Sequence, residues 1–143
     1  MTAGPPLVDT NILAYAFDTR DPGKRERAAA LLARCWRDKE RLSVSVQNLA
    51  EFCVVVTEKV ARPLPRPVIS RFISAVASYD GWNVIGYDAG TILAAQNVSK
   101  RYSLHFWDGL LVATMQEHGI GTIYTEDAHF KKIPGLTAVN PFE

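Results

Sequence analysis

The sequence predicts an α/β fold: a central, mainly parallel sheet of four or five strands with helices on both faces. Two observations predict it. Short apolar runs alternate with longer stretches of helical periodicity along the chain, the pattern of strands joined by right-handed crossover helices. Residues that open or close helices, among them Asp21-Pro22, Ser45, Asp88 and Gly119, punctuate those stretches. The length, 143 residues, suits one core rather than two, so residues 1–143 are read as a single domain.

Leu7-Val8 is a buried strand that runs into the polar corner Asp9-Thr10-Asn11, with a short helix over Ile12–Phe17. Asp21 caps the next helix and Pro22 occupies its first turn; Ala28, Leu31, Leu32 and Cys35 form its apolar stripe. Leu42-Ser43-Val44 is a second strand, and Ser45 caps a helix through Glu51 to about Lys59. The prolines of Arg62–Pro67 break the chain. A helix follows, with Val68, Phe72, Ile73 and Val76 along one side, as core or as a partner surface. Gly81-Trp82-Asn83-Val84-Ile85-Gly86 gives a turn and a third strand, and Asp88 caps a helix to about Arg101. Asp108–His118 is the last long helix, with His118 in its final turn and Gly119 in its left-handed cap. Ile120–Tyr124 and Thr137–Val139 complete the strands.

Composition excludes some classes. The chain is 48% hydrophobic and 22% charged, unlike a disordered protein. Sixteen basic residues against fifteen acidic ones give a formal charge of +1, which neither selects nor rejects a nucleic-acid partner. No apolar run approaches the ~20 residues of a membrane span, and Met1–Pro6 lacks the regions of a signal peptide. Cys35 and Cys53 fall in helical stretches and form no CxxC pair, which predicts free thiols in a cytoplasmic protein.

Four acids hold the candidate chemistry. Parallel sheets bind ligands beyond the carboxyl ends of their strands. Asp9 follows the first strand, Asp127 follows the fourth, Asp108 opens a helix, and Glu51 lies in apolar surroundings on the helix begun by Ser45. Alone, each has an ordinary role: Asp9 and Asp127 in Asx turns, Asp108 as a helix cap, Glu51 on a solvated face. Together on one sheet edge they would repel one another unless protonated or neutralised by a cation. Oxygen-only ligation suits Mg²⁺ or Mn²⁺. Carboxylate-held metal is suited to hydrolysing phosphodiesters.

Four segments resemble the PIN-domain ribonucleases, and more narrowly the VapC-type toxins of bacterial toxin–antitoxin pairs: Leu7–Leu13, Gln47–Phe52, Phe106–Thr114 and Tyr124–Asp127. Their order and spacing match over residues 7 to about 140. The resemblance implies a metal-dependent endoribonuclease, an RNA substrate, an antitoxin that inhibits it, and a homodimer. It assigns Asp9, Glu51 and Asp108 to the metal core, with Asp127 completing the pocket directly or through water. Asn11 and Thr125 would orient the carboxylates. Glu126 is an alternative to Asp127, which better matches the family segment.

Other residues carry weaker signals. His129, Lys131 and Lys132 follow Asp127 closely and are candidates to contact RNA. Trp107 either stacks on a base or packs under its helix start. His118 serves its own helix terminus. Other readings include a PIN nuclease in a different RNA-processing role and a phospho-acceptor domain using Asp9, for which no strand-end lysine presents itself. A module that binds RNA or protein without cutting is the remaining one; metal-dependent turnover separates it from a nuclease.

Overall fold

The computed structural model describes residues 4–143. Five strands form one sheet in the order β3-β2-β1-β4-β5, every neighbouring pair parallel. They are β1 (Leu7–Val8), β2 (Leu42–Ser45), β3 (Trp82–Ile85), β4 (Thr122–Tyr124) and β5 (Thr137–Val139). The helices are α1 (Thr10–Tyr15), α2 (Pro22–Trp36), α3 (Val46–Glu58), α4 (Arg66–Ser78), α5 (Ala89–Tyr102) and α6 (Phe106–Glu117). A 3-10 turn at Ala128–Lys132 links β4 to β5.

The two-residue period of a strand sorts its side chains between two cores. Val8, Leu42, Val44 and Trp82 pack with residues of α1 to α4, including Leu31, Phe52 and Val76. Leu7, Ile85 and Ile123 face the other way, onto Leu111, Val112 and Met115 of α6 and Phe130 of the 3-10 turn. Neighbours Leu7 and Val8 thus serve opposite faces, and the sheet is covered on both. Phe52 sits at the centre of the first core, packed edge-on to Phe17 and tilted against Phe72. The residues between Pro63 and Ala77 contribute to this core: Ile69 and Val76 are buried and Phe72 and Ile73 pack against it.

The expected caps form. Asp21, Ser45 and Asp88 each accept from the backbone N–H three residues on, and Gly119 adopts φ +66°. Two boundaries move. Asp9 itself caps α1, so the helix begins at Thr10, ahead of the expected start. Helix α6 begins at Phe106, so Asp108 is not its cap but lies inside its first turn. The cap position falls to His105, whose side chain makes no capping bond. The reading of Asp108 as a mere N-cap therefore fails. α5 and α6 approach closely at Gly109, where a Cβ would stand 2.0 Å from Ser99 Oγ and 3.0 Å from the Ala95 carbonyl. Cys35 is buried, Cys53 partly so, and both are free. Among the described residues, no helix is long and apolar enough to cross a membrane.

Candidate active site

Asp9 stands directly after β1, and its backbone N–H donates to the Tyr124 carbonyl at 3.0 Å, fixing its place between β1 and β4. Its side chain is held from three sides. Oδ1 accepts from the Thr10 N–H at 2.8 Å and, at 3.5 Å, from the Asn48 amide. Oδ2 accepts from the Thr125 hydroxyl at 2.7 Å. Burial pushes the Asp9 carboxyl up to about 6, opposed by the Thr125 and Thr10 hydrogen bonds and reinforced by the charges of Glu51 and Asp108.

Glu51 approaches from α3, and its Oε1 accepts from the Thr10 hydroxyl at 3.2 Å. Burial raises its pKa, with hydrogen bonds from Thr10 and Gln47 opposing, and the nearby charges of Asp108 raising and Lys59 lowering it. Asp108 comes from the first turn of α6. Burial raises it too; Asp127 adds to the shift, and His105 and His129 oppose it. Asp127 opens the 3-10 turn: its Oδ1 accepts from the His129 N–H at 2.8 Å and lies 3.0 Å from His129 Nδ1.

The four acids thus act on one another electrostatically at one edge of the sheet. Among the described residues, no three His, Cys, Asp or Glu side chains form a metal-holding group; the four carboxylates would be the groups to meet a cation. Their chemistry suits such an ion. The donors are all oxygen, three of the four carboxyls are raised by burial, and one divalent charge would relieve burial and mutual repulsion together.

The orienting groups differ in part from expectation. Thr125, 2% exposed, donates to Asp9 and accepts from the Asp127 N–H at 3.0 Å, so one hydroxyl ties two of the acids. Asn11, expected in a similar role, makes no hydrogen bond to a carboxylate, and its Oδ1 is buried without a partner. Asn11 is the second residue after the Asp9 cap, inside the first turn of α1. Thr10 and Asn48, missed in the sequence, take up that task. Asn48 closes the capping box of α3 with its Oδ1 on the Ser45 N–H and hydroxyl, leaving Nδ2 to donate to the Thr10 hydroxyl at 3.0 Å. Its place three residues after Ser45 was the available signal.

Glu126 points elsewhere, to an ion pair with Lys24 and a hydrogen bond from the Tyr15 hydroxyl. That engagement favours Asp127 over Glu126 as the fourth acid. The basic residues divide. Lys132, His105 and His129 line a cavity of about 300 Å³ together with Asp108, whereas Lys131 lies beside Asp127 on a different concavity. His118 Nδ1 is 2.8 Å from the Thr114 carbonyl, serving its own helix. Trp107 does not pack under the helix start: it is 57% exposed.

The PIN domain family profile matches residues 7–136. No curated protein sequence matches the chain. Solved structures share the fold. A toxin–antitoxin complex from Klebsiella pneumoniae is 23% identical, with a TM-score of 0.68 over 96% of this chain and 98% of that one. Mycobacterium tuberculosis VapC20, a sarcin–ricin loop cleaving toxin, is 19% identical with a TM-score of 0.63, over 85% of this chain and 88% of its own. VapBC2 from Rickettsia felis, bound to a DNA fragment from its promoter, is 17% identical at 0.63, covering 96% of this chain and 98% of that one. With the profile running through the first four strands and every helix, the chain belongs to the PIN domain family.

Proposed function

We propose that this PIN domain is a metal-dependent endoribonuclease, acting as the toxin of a type II toxin–antitoxin pair. The observation that carries the reading is that Asp9, Glu51 and Asp108 come from three separate elements, that the charges of Glu51 and Asp108 raise Asp9 and that of Asp108 raises Glu51, and that partial burial raises all three. Structural roles such as caps and turns do not require that convergence. Asp9, Glu51 and Asp108 would hold Mg²⁺ or Mn²⁺, with Asp127 joining directly or through water. When bound, the ion would lower the pKa of a coordinated water and stabilise charge on the phosphate oxygens.

The chain's own groups prepare that site. Thr125 and the Thr10 N–H fix the Asp9 carboxylate, and the Thr10 hydroxyl and Gln47 steady Glu51. Lys132, His105 and His129 surround the cavity beside Asp108 and would hold RNA phosphates against an otherwise acidic edge. Lys131 would do the same from the concavity it shares with Asp127.

The toxin role is supported by the solved relatives, which include a toxin–antitoxin complex and a VapBC pair on promoter DNA. By that likeness the chain would act in the cytoplasm as a homodimer held inactive by a cognate antitoxin. Incubation of the antitoxin-free protein with a panel of structured RNAs tests the activity. Discrete cuts that need Mg²⁺ or Mn²⁺ and stop with chelator are expected. Intact RNA across the panel, with metal shown to bind, would overturn it in favour of a binding module.

A further inference from the structure

Lys24 lies in the first turn of α2, where its backbone N–H donates to the Asp21 cap at 3.1 Å. A cation at that end of a helix opposes the helix dipole, so local helix chemistry does not account for a lysine here. Its partners lie far along the chain. Nζ forms an ion pair with Glu126 Oε2 and stands 3.5 Å from the Tyr15 hydroxyl, which donates to Glu126 Oε1 at 2.9 Å. Nζ also lies over the rings of Tyr15, at 4.9 Å, and of Phe142, at 5.4 Å. Those two rings meet edge-on at 5.2 Å, and Arg27 of α2 donates to the Phe142 carbonyl at 2.6 Å. Lys24 and Glu126, with side chains 33% and 30% exposed, thus form a half-buried pair against aromatic carbon, less screened than one open to water.

Glu126 sits between two groups of the acidic edge. Thr125, before it, donates to Asp9 Oδ2 at 2.7 Å, and Asp127, after it, returns its N–H to the Thr125 hydroxyl at 3.0 Å. The sheet fixes the start of this turn, through the Thr125 N–H on the Val139 carbonyl at 3.0 Å. The Glu126 side chain ties its middle to α1 and α2. We infer that Lys24 is a positioning residue for the acidic site: by gripping Glu126 it holds the Thr125–Asp127 turn in place, and so sets Thr125 and Asp127 relative to Asp9. The inference rests on the reading of these acids as an ion-binding site. Without Lys24, Glu126 would be a half-buried carboxylate lacking its counter-charge, drawn out toward water, and the turn would move with it. Grip and charge have opposite signs here. Removing the lysine charge alone would tighten a divalent cation on the carboxylates, whereas losing the grip loosens it.

Calorimetric titration of the full chain with Mn²⁺, without RNA, tests this. Lys24→Met is expected to weaken binding about tenfold, the lower end of what loss of a group that orients a metal ligand costs. Glu126→Ala should weaken it comparably, and the two together no further than either alone, because both break one link. Glu126→Gln removes the same charge but keeps an oxygen for Lys24 and an amide that can donate to the Tyr15 hydroxyl; it should bind Mn²⁺ nearly as the parent does. Melting is read alongside, since a residue that serves stability alone would lower it and leave Mn²⁺ affinity unmoved. Unchanged or tighter binding in Lys24→Met overturns the inference; if that variant does not fold, unchanged binding in Glu126→Ala does so. Additive losses in the double variant overturn it as well. A parent that binds no Mn²⁺ would reject the ion site and the inference with it, whereas a parent that binds as its Lys24→Met variant does rejects the inference alone. Weakened binding in the variants of a parent that binds Mn²⁺ but cuts no RNA would uphold the positioning role and reject the nuclease.

Discussion

Replacing Asp9 by Asn should make the metal-free protein more stable at neutral pH. The folded state holds the Asp9 carboxyl at about 6, against 3.8 for an unperturbed aspartate. Folding therefore favours the protonated form. The stability this contributes is full below about pH 4 and is lost as pH rises through about 6. A pKa raised from 3.8 to about 6 means that about 3 kcal/mol is forfeited above that window. Asn carries no charge to desolvate and keeps an oxygen to accept from the Thr10 N–H. Differential scanning fluorimetry with chelator would show the variant melting roughly 5–10 °C higher than the parent at neutral pH. The two curves should converge toward pH 4, because other titrating groups, Asp18 with its Arg20 partner among them, are common to both. Saturating Mn²⁺ should raise the parent and leave the variant unmoved, since the ion replaces the proton only where the carboxylate remains. A variant that melts at or below the parent at neutral pH, or a pH profile parallel to it, would refute the assignment of Asp9 as a carboxylate strained by burial.

Thr125→Val removes the hydroxyl shared by Asp9 and Asp127; calorimetric Mn²⁺ titration should show affinity lower by about 10–100-fold. Glu126→Gln should leave RNA cleavage within about twofold of the parent, because Glu126 serves Lys24 and Tyr15, whereas Asp127→Asn should cut the rate by at least about tenfold. Gly109→Ala should destabilise by roughly 1–3 kcal/mol in urea unfolding, since its Cβ meets Ser99 and the Ala95 carbonyl; Ser99→Gly in the same chain should recover part of the loss. Phe52→Ala, which removes the fully buried ring packed between Phe17 and Phe72, should cost about 3–5 kcal/mol by the same measurement.

Much of this architecture was legible because local chemistry and global fold agree. Asp21, Ser45, Asp88 and Gly119 sit where helix ends need a side-chain acceptor or a positive φ, and the structure uses each that way. The apolar pairs and triplets of the strands betray their existence, while the register that makes them all parallel lies in long-range pairing that no local window contains. The start of α6 was misplaced for a physical reason: Asp is favoured at a cap, yet here it is retained inside the first turn, where the helix dipole also favours an acid. The four acids could be picked out as a set, but their support could not. Asn48 reads locally as a capping-box residue, and only the fold brings its spare amide to Thr10 and Asp9. Asn11, two residues from Asp9 in sequence, makes no hydrogen bond to a carboxylate and keeps its Oδ1 unpartnered, which shows how little chain proximity says about side-chain contacts. The exposure of Trp107 was likewise invisible, because an aromatic residue beside an apolar helix is usually core.

The central claim is that these carboxylates hold a divalent ion that RNA cleavage requires. The most direct measurement is the initial rate of RNA cleavage against Mn²⁺ concentration, for the parent protein and for Asp108→Asn purified identically. The account predicts a saturable rise in the parent, abolished by chelator, and no cleavage by the variant at concentrations that saturate the parent. Cleavage that ignores chelator, or that persists at the parental rate in the variant, would contradict it.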